Sequence, residues 1–341
     1  MKTILYFASD LDFNLSDGSS ILAYEQIKLL NSNHKIKIIN CLKDKKLTNQ
    51  KAPLGYDYQE IEIKKNIFGL DEYPSTIKIN KEVFDFVVFT SSSQVALINQ
   101  FKDSIKIYMI NNTDYQETKH AFLNVYNQEE VLCKMSDINI FLTQKDFLYF
   151  KSLLLIRKND LVISPFINNN APNNSPKVPN QALITTNLFN KHNQESLMWF
   201  LKEVYPKIDD KIQLIITGKG DFKNLKAHYD KVDFRGFINR EELIKLYNES
   251  ALFINPTISG SGIQIKILEA LSFRMNVVST AYTNTFPHII DSSNNAQEFA
   301  DLINKHIQNP NYSFNFEEYN KFNCKNFLKV FETKTQTKSM I

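Results

Sequence analysis

The sequence predicts an α/β protein built from two doubly wound domains. Three observations predict it. Apolar strand-like runs alternate with helical patterns, which is the grammar of βαβ units. The alternation restarts after the polar, proline-rich stretch Asn168–Asn180, a natural linker. And 341 residues exceed what one ordinary core holds. Domains are therefore expected over 1–170 and 180–315, with a closing helix over 316–341. Two such domains facing each other leave a central cleft, a common place for a small-molecule ligand.

The elements follow in order. Ile4–Ala8 reads as the first strand, followed by a turn-rich stretch and by Ile21, Tyr24, Ile27 and Leu30 at helical spacing. Ile36–Ile39, Phe86–Phe89, Ile105–Ile110, Ile138–Leu142 and Leu161–Pro165 read as further strands, and Val131–Ser136 closes a helix. Residues 42–80 carry lysines from Lys43 onward and little periodicity, so a peripheral insertion or irregular strands are expected. Beyond the linker, Ala182–Thr185, Ile212–Thr217, Val232–Phe234, Leu252–Asn255 and Val277–Ser279 read as strands, with His288–Ile290 as a further edge. Asn193 reads as the cap of a helix carrying Leu197, Phe200, Leu201 and Val204 and ended by Pro206. Glu241–Tyr247, Gly262–Ser272 and Phe316–Phe331 read as helices.

Composition narrows the function classes. Hydrophobic content of 43% with 23% charged residues describes a globular chain. A net charge of +3 is too mild for a nucleic-acid binder. Cys41, Cys133 and Cys324 are scattered without metal spacing, which fits a reducing cytoplasm. The first apolar run is too short for a signal peptide, and none reaches the length of a membrane span. The lysines between Lys43 and Lys51 read as a solvated loop, with contact to an anionic membrane as the alternative. Phe141, Phe147, Tyr149 and Phe150 read as core rather than as the lining of a ligand groove. Asp137 and Thr143 read as architectural.

Glycine is scarce but concentrated. Five of the eight, Gly218, Gly220, Gly236, Gly260 and Gly262, fall in one stretch. The last two sit in Pro256-Thr-Ile-Ser-Gly-Ser-Gly262, between a buried strand and a helix. Helix starts offer unpaired N–H groups and partial positive charge, and glycine lets an anion approach the main chain. A phosphate group is thus the expected ligand there.

Four segments occur together: Ser196–Pro206, Leu214–Gly220, Val232–Ile238 and Pro256–Ser272. In this order they resemble the nucleotide-sugar-binding domain of GT-B glycosyltransferases, in particular the large retaining group. The resemblance implies a GT-B fold of two Rossmann-like domains, the C-terminal one binding the donor and the N-terminal one the acceptor. It implies a hexosyltransferase acting with retention, a UDP-sugar being favoured, in bacterial polysaccharide or glycoprotein assembly. The acceptor would be a glycan, a glycoprotein or a lipid-linked sugar. The nucleotide sugar is a substrate; no cofactor is expected. Likeness over the first 170 residues extends to the βαβ layout alone.

The resemblance also implies roles. Ser261, Gly262 and Ile263 would present main-chain groups to the diphosphate, with Lys266 or Lys191 supplying charge to the leaving group. Glu269 would bind the ribose hydroxyls. Gly236, Phe237 and Ile238 would frame the base, and Gly18 would face the diphosphate from the other domain. Lys219, beside Gly218, is a candidate donor contact or a turn residue. Asp114 and His120 follow a strand and would meet the transferred sugar or the acceptor; an N-cap and a surface histidine are the plain alternatives. His192, beside Lys191, is equally open.

The sequence departs from the family pattern at two places. Ser261 stands where the first carboxylate of a Glu-x7-Glu motif would be, and Thr186-Asn187 replaces a glycine. The usual loop arginine is missing, and lysine lacks its fork. A non-catalytic partner subunit and a GT-B sugar-nucleotide epimerase therefore remain alternatives. Charge on the leaving diphosphate can be met by a helix start and lysines, and the chain is read as having no Asp-x-Asp, so no catalytic metal ion is expected.

Overall fold

The computed structural model describes residues 1–15, 17–43, 52–53, 55–65, 71–73, 77, 82–111, 124–167, 176–259, 264–309 and 312–332. The chain forms two compact units. Unit 1 comprises Met1–Ile167 and the chain from Glu318; unit 2 comprises Asn168–Gly260 and Gln264–Glu317.

Unit 1 is built on a parallel seven-stranded sheet. Its strands are β1 (Thr3–Ser9), β2 (Lys35–Leu42), β3 (Asp57–Glu62), β6 (Phe86–Phe89), β7 (Ile105–Ile110), β8 (Ile138–Phe141) and β9 (Leu161–Val162). They lie in the order β3-β2-β1-β6-β7-β8-β9. All pairs are parallel, with Ile4 opposite both Ile36 and Phe86. Strands covered on both faces read as continuous apolar runs, which is why Ile4–Ala8 and Phe86–Phe89 are fully buried. The irregular region resolves into the edge strand β3 and a short antiparallel pair, β4 (Lys64–Lys65) and β5 (Asp71–Glu72). Lys43 meets Asp71 at 2.6 Å, while Lys45, Lys46 and Lys51 lie outside the described residues. Phe141 and Phe150 are core, with Phe147 and Tyr149 packed against them. Asp137 accepts the Lys106 amide at 2.8 Å, and Thr143 caps the helix Gln144–Ser152.

The last helix, Phe316–Val330, turns its apolar side to unit 1. Phe327 packs on Phe166 and Phe331 on Phe86. Tyr319 donates to the Pro165 carbonyl at 2.9 Å, and Asn320 accepts the Ile167 amide at 3.0 Å.

Unit 2 has six parallel strands: β10 (Val178–Asn187), β11 (Gln213–Lys219), β12 (Asp233–Gly236), β13 (Ser250–Asn255), β14 (Asn276–Ser279) and β15 (Asp291–Ser292). Their order is β12-β11-β10-β13-β14-β15. A core that includes Ile184, Leu197, Phe200, Leu252, Phe299 and Ile303 joins the sheet to its helices. Several boundaries differ from expectation. β10 begins at Val178, inside the stretch read as the linker, rather than at Ala182. Asn190, not Asn193, caps the helix Lys191–Trp199, accepting the amides of His192 and Asn193. The edge strand follows His288–Ile290, which forms a turn. The helix after β13 runs Ile265–Ser272, three residues later than Gly262.

Candidate active site

Doubly wound sheets bind ligands beyond the carboxyl ends of their strands, where strand order reverses. In unit 2 that point is β10, flanked by β11 on one side and β13 on the other. Lys266, in the first turn of Ile265–Ser272, reaches it. Its ammonium donates to the Thr185 carbonyl of β10 at 3.4 Å and to Thr257 Oγ1 at 3.3 Å. Both partners are neutral, and among the described residues no carboxylate stands within ion-pair distance of it. Burial pushes its pKa down to about 8. Thr257 is itself fixed. Its hydroxyl donates to Asn255 Oδ1 at 2.8 Å, and Asn255 donates to Ser279 at 3.1 Å and Thr283 at 3.0 Å.

Glu269 lies three residues on, on the same helix face. It is 5% exposed, and Oε1 meets Arg240 Nη1 at 2.6 Å. Burial raises its pKa, while the Arg240 guanidinium and the Tyr247 hydroxyl pull the other way. Arg240 opens the helix Arg240–Glu249, which also carries Tyr247.

The helix Lys191–Trp199 follows β10 and touches the loop after β13. His192 Nδ1 is 2.9 Å from Ser259 Oγ, and Ser196 accepts the Ile258 amide at 3.1 Å. Lys191 itself is 85% exposed, with Glu195 at 3.8 Å.

The glycines divide into two kinds. A Cβ on Gly218, at φ +143, would stand 1.6 Å from the Thr186 carbonyl oxygen; one on Gly220 would stand 2.5 Å from Leu188 Cβ. These two glycines let the end of β11 pass against the turn after β10, where the Leu188 amide donates to the Lys219 carbonyl at 2.7 Å. Gly236, at φ +69, has nothing within 4 Å of its Cβ position, and its carbonyl accepts from Thr217 at 2.7 Å. Beside it Phe237 is 64% exposed and Ile238 is half-buried.

Lys266, Glu269 and the loop ends of β10 and β13 are thus brought together, and Gly218, Lys219 and Gly236 share the carboxyl side of that sheet. Ser261, Gly262, Ile263, Asp114 and His120 lie outside the described residues. In unit 1, Gly18 opens the helix Gly18–Asn31, whose start is already capped by Asp17 through Ser20 at 2.9 Å. The expectation that the chain has no Asp-x-Asp is wrong: Asp10-Leu-Asp12 has that spacing. Its carboxylates accept main-chain amides, Asp10 from Lys43 at 2.6 Å and Asp12 from Asn14 at 2.9 Å.

Sequence reasoning missed Arg240, Tyr247, Thr185, Asn255 and Thr257. The Asn239–Glu242 capping box locates Arg240 on a helix start, but its partner comes from another helix.

The fold is that of the GT-B class. Sucrose-phosphate synthase from Thermosynechococcus elongatus superposes with TM-score 0.71 at 12% identity, over 97% of this chain and 98% of that one. Anabaena Alr3699/HepE, solved in complex with UDP, gives 0.68 at 14% identity over 97% and 99%. The pneumococcal O-GlcNAc transferase GtfA, solved with UDP and GlcNAc, gives 0.67 at 9% identity over 97% and 98%. Residues 180–309 match the family described as Glycosyl transferases group 1. The chain thus has the GT-B fold, and residues 180–309 of its C-terminal half are similar to the group 1 glycosyltransferases. A stretch of 110 residues is 32% identical to an uncharacterized 44.6 kDa protein in the cps region of Klebsiella pneumoniae; it spans 29% of this chain and 28% of that relative. Among the described residues, no helix is long and apolar enough to cross a membrane.

Proposed function

We propose that this chain transfers a hexose from a nucleotide diphosphate sugar to a glycan or glycoconjugate acceptor, with retention and without a catalytic metal ion. One observation carries the reading: Lys266, an ammonium held against neutral oxygens at the switch point of the unit 2 sheet, has no anion of its own among the described residues. Such a charge is costly unless an anion arrives to pair with it. A departing diphosphate is an anion whose charge grows in the transition state, where a fixed cation acts best. Glu269, on the same face, supplies acceptors for the ribose hydroxyls. UDP is the favoured nucleotide because solved structures of like fold hold it. Ser261, Gly262 and Ile263 are proposed main-chain contacts of the diphosphate; Gly236, Phe237 and Ile238 of the base; Lys191, Lys219 and Gly18 of the donor; Asp114 and His120 of the sugar or acceptor.

The test is thermal denaturation with UDP-, GDP- and CMP-linked sugars, followed by a donor-turnover assay. A ligand that binds the folded state raises the midpoint with concentration. A midpoint rise with a UDP-sugar, and turnover lost in Glu269→Ala and Lys266→Ala, are expected. No rise with any donor would overturn the proposal. Binding without turnover would make the chain a partner subunit, and conversion of the donor alone to an isomer would make it an epimerase.

A further inference from the structure

We propose that Arg240 is a positioning residue of the donor site, holding the Glu269 carboxylate in place and ionised so that it can accept hydrogen bonds from a ligand's hydroxyls. The inference rests on the donor-binding reading above and adds a residue to it. Arg240 stands at the first position of its helix, with Glu241 and Glu242 in the same turn. A cation there opposes the helix dipole. Local helix energetics therefore give no reason for it, and its 2.6 Å contact with Glu269 does. Arg240 Nε and Nη1 and Glu269 Oε1 are all buried without a hydrogen-bond partner, so the 2.6 Å contact is a buried ion pair, and Glu269 is the carboxylate that pairs with this guanidinium among the described residues.

Among the described residues, the other charged or titratable groups around Glu269 have different partners. Lys266, on the same helix, donates to Thr185 and Thr257. Lys177 donates to the carbonyls of Tyr247 and Phe273 at 2.8 and 3.1 Å. Tyr312 donates to the Leu271 carbonyl at 2.6 Å. Tyr247 faces the carboxylate as a neutral hydroxyl, its own pKa raised by burial. Arg240 is therefore the cation that favours ionised Glu269. A carboxylate has about four lone-pair sites, so the Arg240 and Tyr247 contacts leave acceptor capacity for a diol. A protonated carboxyl would accept more weakly.

The experiment compares wild type, Arg240→Met, Arg240→Lys and Glu269→Gln. UDP affinity, donor KM and kcat are measured from about pH 6 to about pH 9, because burial raises the Glu269 pKa. Arg240→Met should raise the UDP Kd and donor KM about tenfold at the acid end, near the Glu269→Gln values, with kcat largely kept. The deficit should close toward the alkaline end as Glu269 ionises unaided. Arg240→Lys should recover part of the affinity throughout. A loss independent of pH, or no loss, overturns the proposal. Should Arg240→Met fail to fold, Glu269→Gln decides: UDP binding equal to wild type across the range overturns it. Wild type that binds no donor nucleotide sinks the functional reading itself, whereas wild-type binding with a pH-independent Arg240→Met defect sinks this inference alone.

Discussion

Lys266 shows what a binding residue costs. Its folded-state pKa lies near 8 against an ordinary 10.5. Between those values the unfolded chain binds more protons than the folded one, so this residue's share of stability rises with pH from about 8 to about 10.5. Below pH 8 the full desolvation cost is present. Lys266→Met should therefore raise the melting temperature at neutral pH, with the advantage shrinking as pH approaches 10.5, while transfer falls about a hundredfold. Lys177 titrates in the same window, so the comparison is with wild type at each pH, where its effect cancels. A variant less stable than wild type at every pH would mean that the ammonium stabilises the fold. Lys266 and Glu269 could be picked from the sequence because Pro256–Ser272 resembles the donor-binding motif of GT-B glycosyltransferases. Arg240 could not, since burial of Glu269 creates the need for a cation, and burial is a tertiary property.

At the scale of elements, the ends of β10 and β11 fix where the loops of unit 2 go. Gly218 is the tight point, and Gly218→Ala drives a Cβ into main chain that cannot yield without parting two central strands. We expect a loss of about 3 kcal/mol or more, or no soluble protein. Gly236→Ala meets open space and should cost about 1 kcal/mol for its left-handed φ. Urea denaturation of both variants tests the contrast; equal losses would refute it. The strands themselves were legible because parallel strands covered on both faces are unbroken apolar runs such as Phe86–Phe89 and Leu252–Ile254. Helix starts were less so. Asn187, Asn190 and Asn193 are all plausible caps spaced by three, and the choice falls to Asn190 because β10 continues through Asn187. The edge strand β3 carries polar residues on its exposed side, so its pattern was diluted below recognition.

At the scale of the whole molecule, each unit has its own sheet and core, and the chain's single tryptophan reports on one of them. Trp199 packs against Phe299 in unit 2. Phe331, fully buried among Phe86, Phe327 and His34, anchors the last helix in unit 1. That apolar stripe was readable from Phe316 onward, whereas its docking surface, Phe86 and Phe166, is distant in sequence. Phe331→Ala removes a core aromatic and should cost unit 1 about 3–5 kcal/mol. Calorimetry should then resolve an early transition, while the midpoint of Trp199 fluorescence stays near the wild-type value. A donor nucleotide at a hundred times its Kd should raise the Trp199 midpoint by the equivalent of about 2.7 kcal/mol. It should do so nearly equally in Phe331→Ala, because the side chains assigned to the nucleotide, Lys266 and Glu269 among them, lie in unit 2. If the tryptophan signal instead falls together with the early transition, the two cores unfold as one cooperative body, and a nucleotide bound to unit 2 must then also protect the last helix from melting.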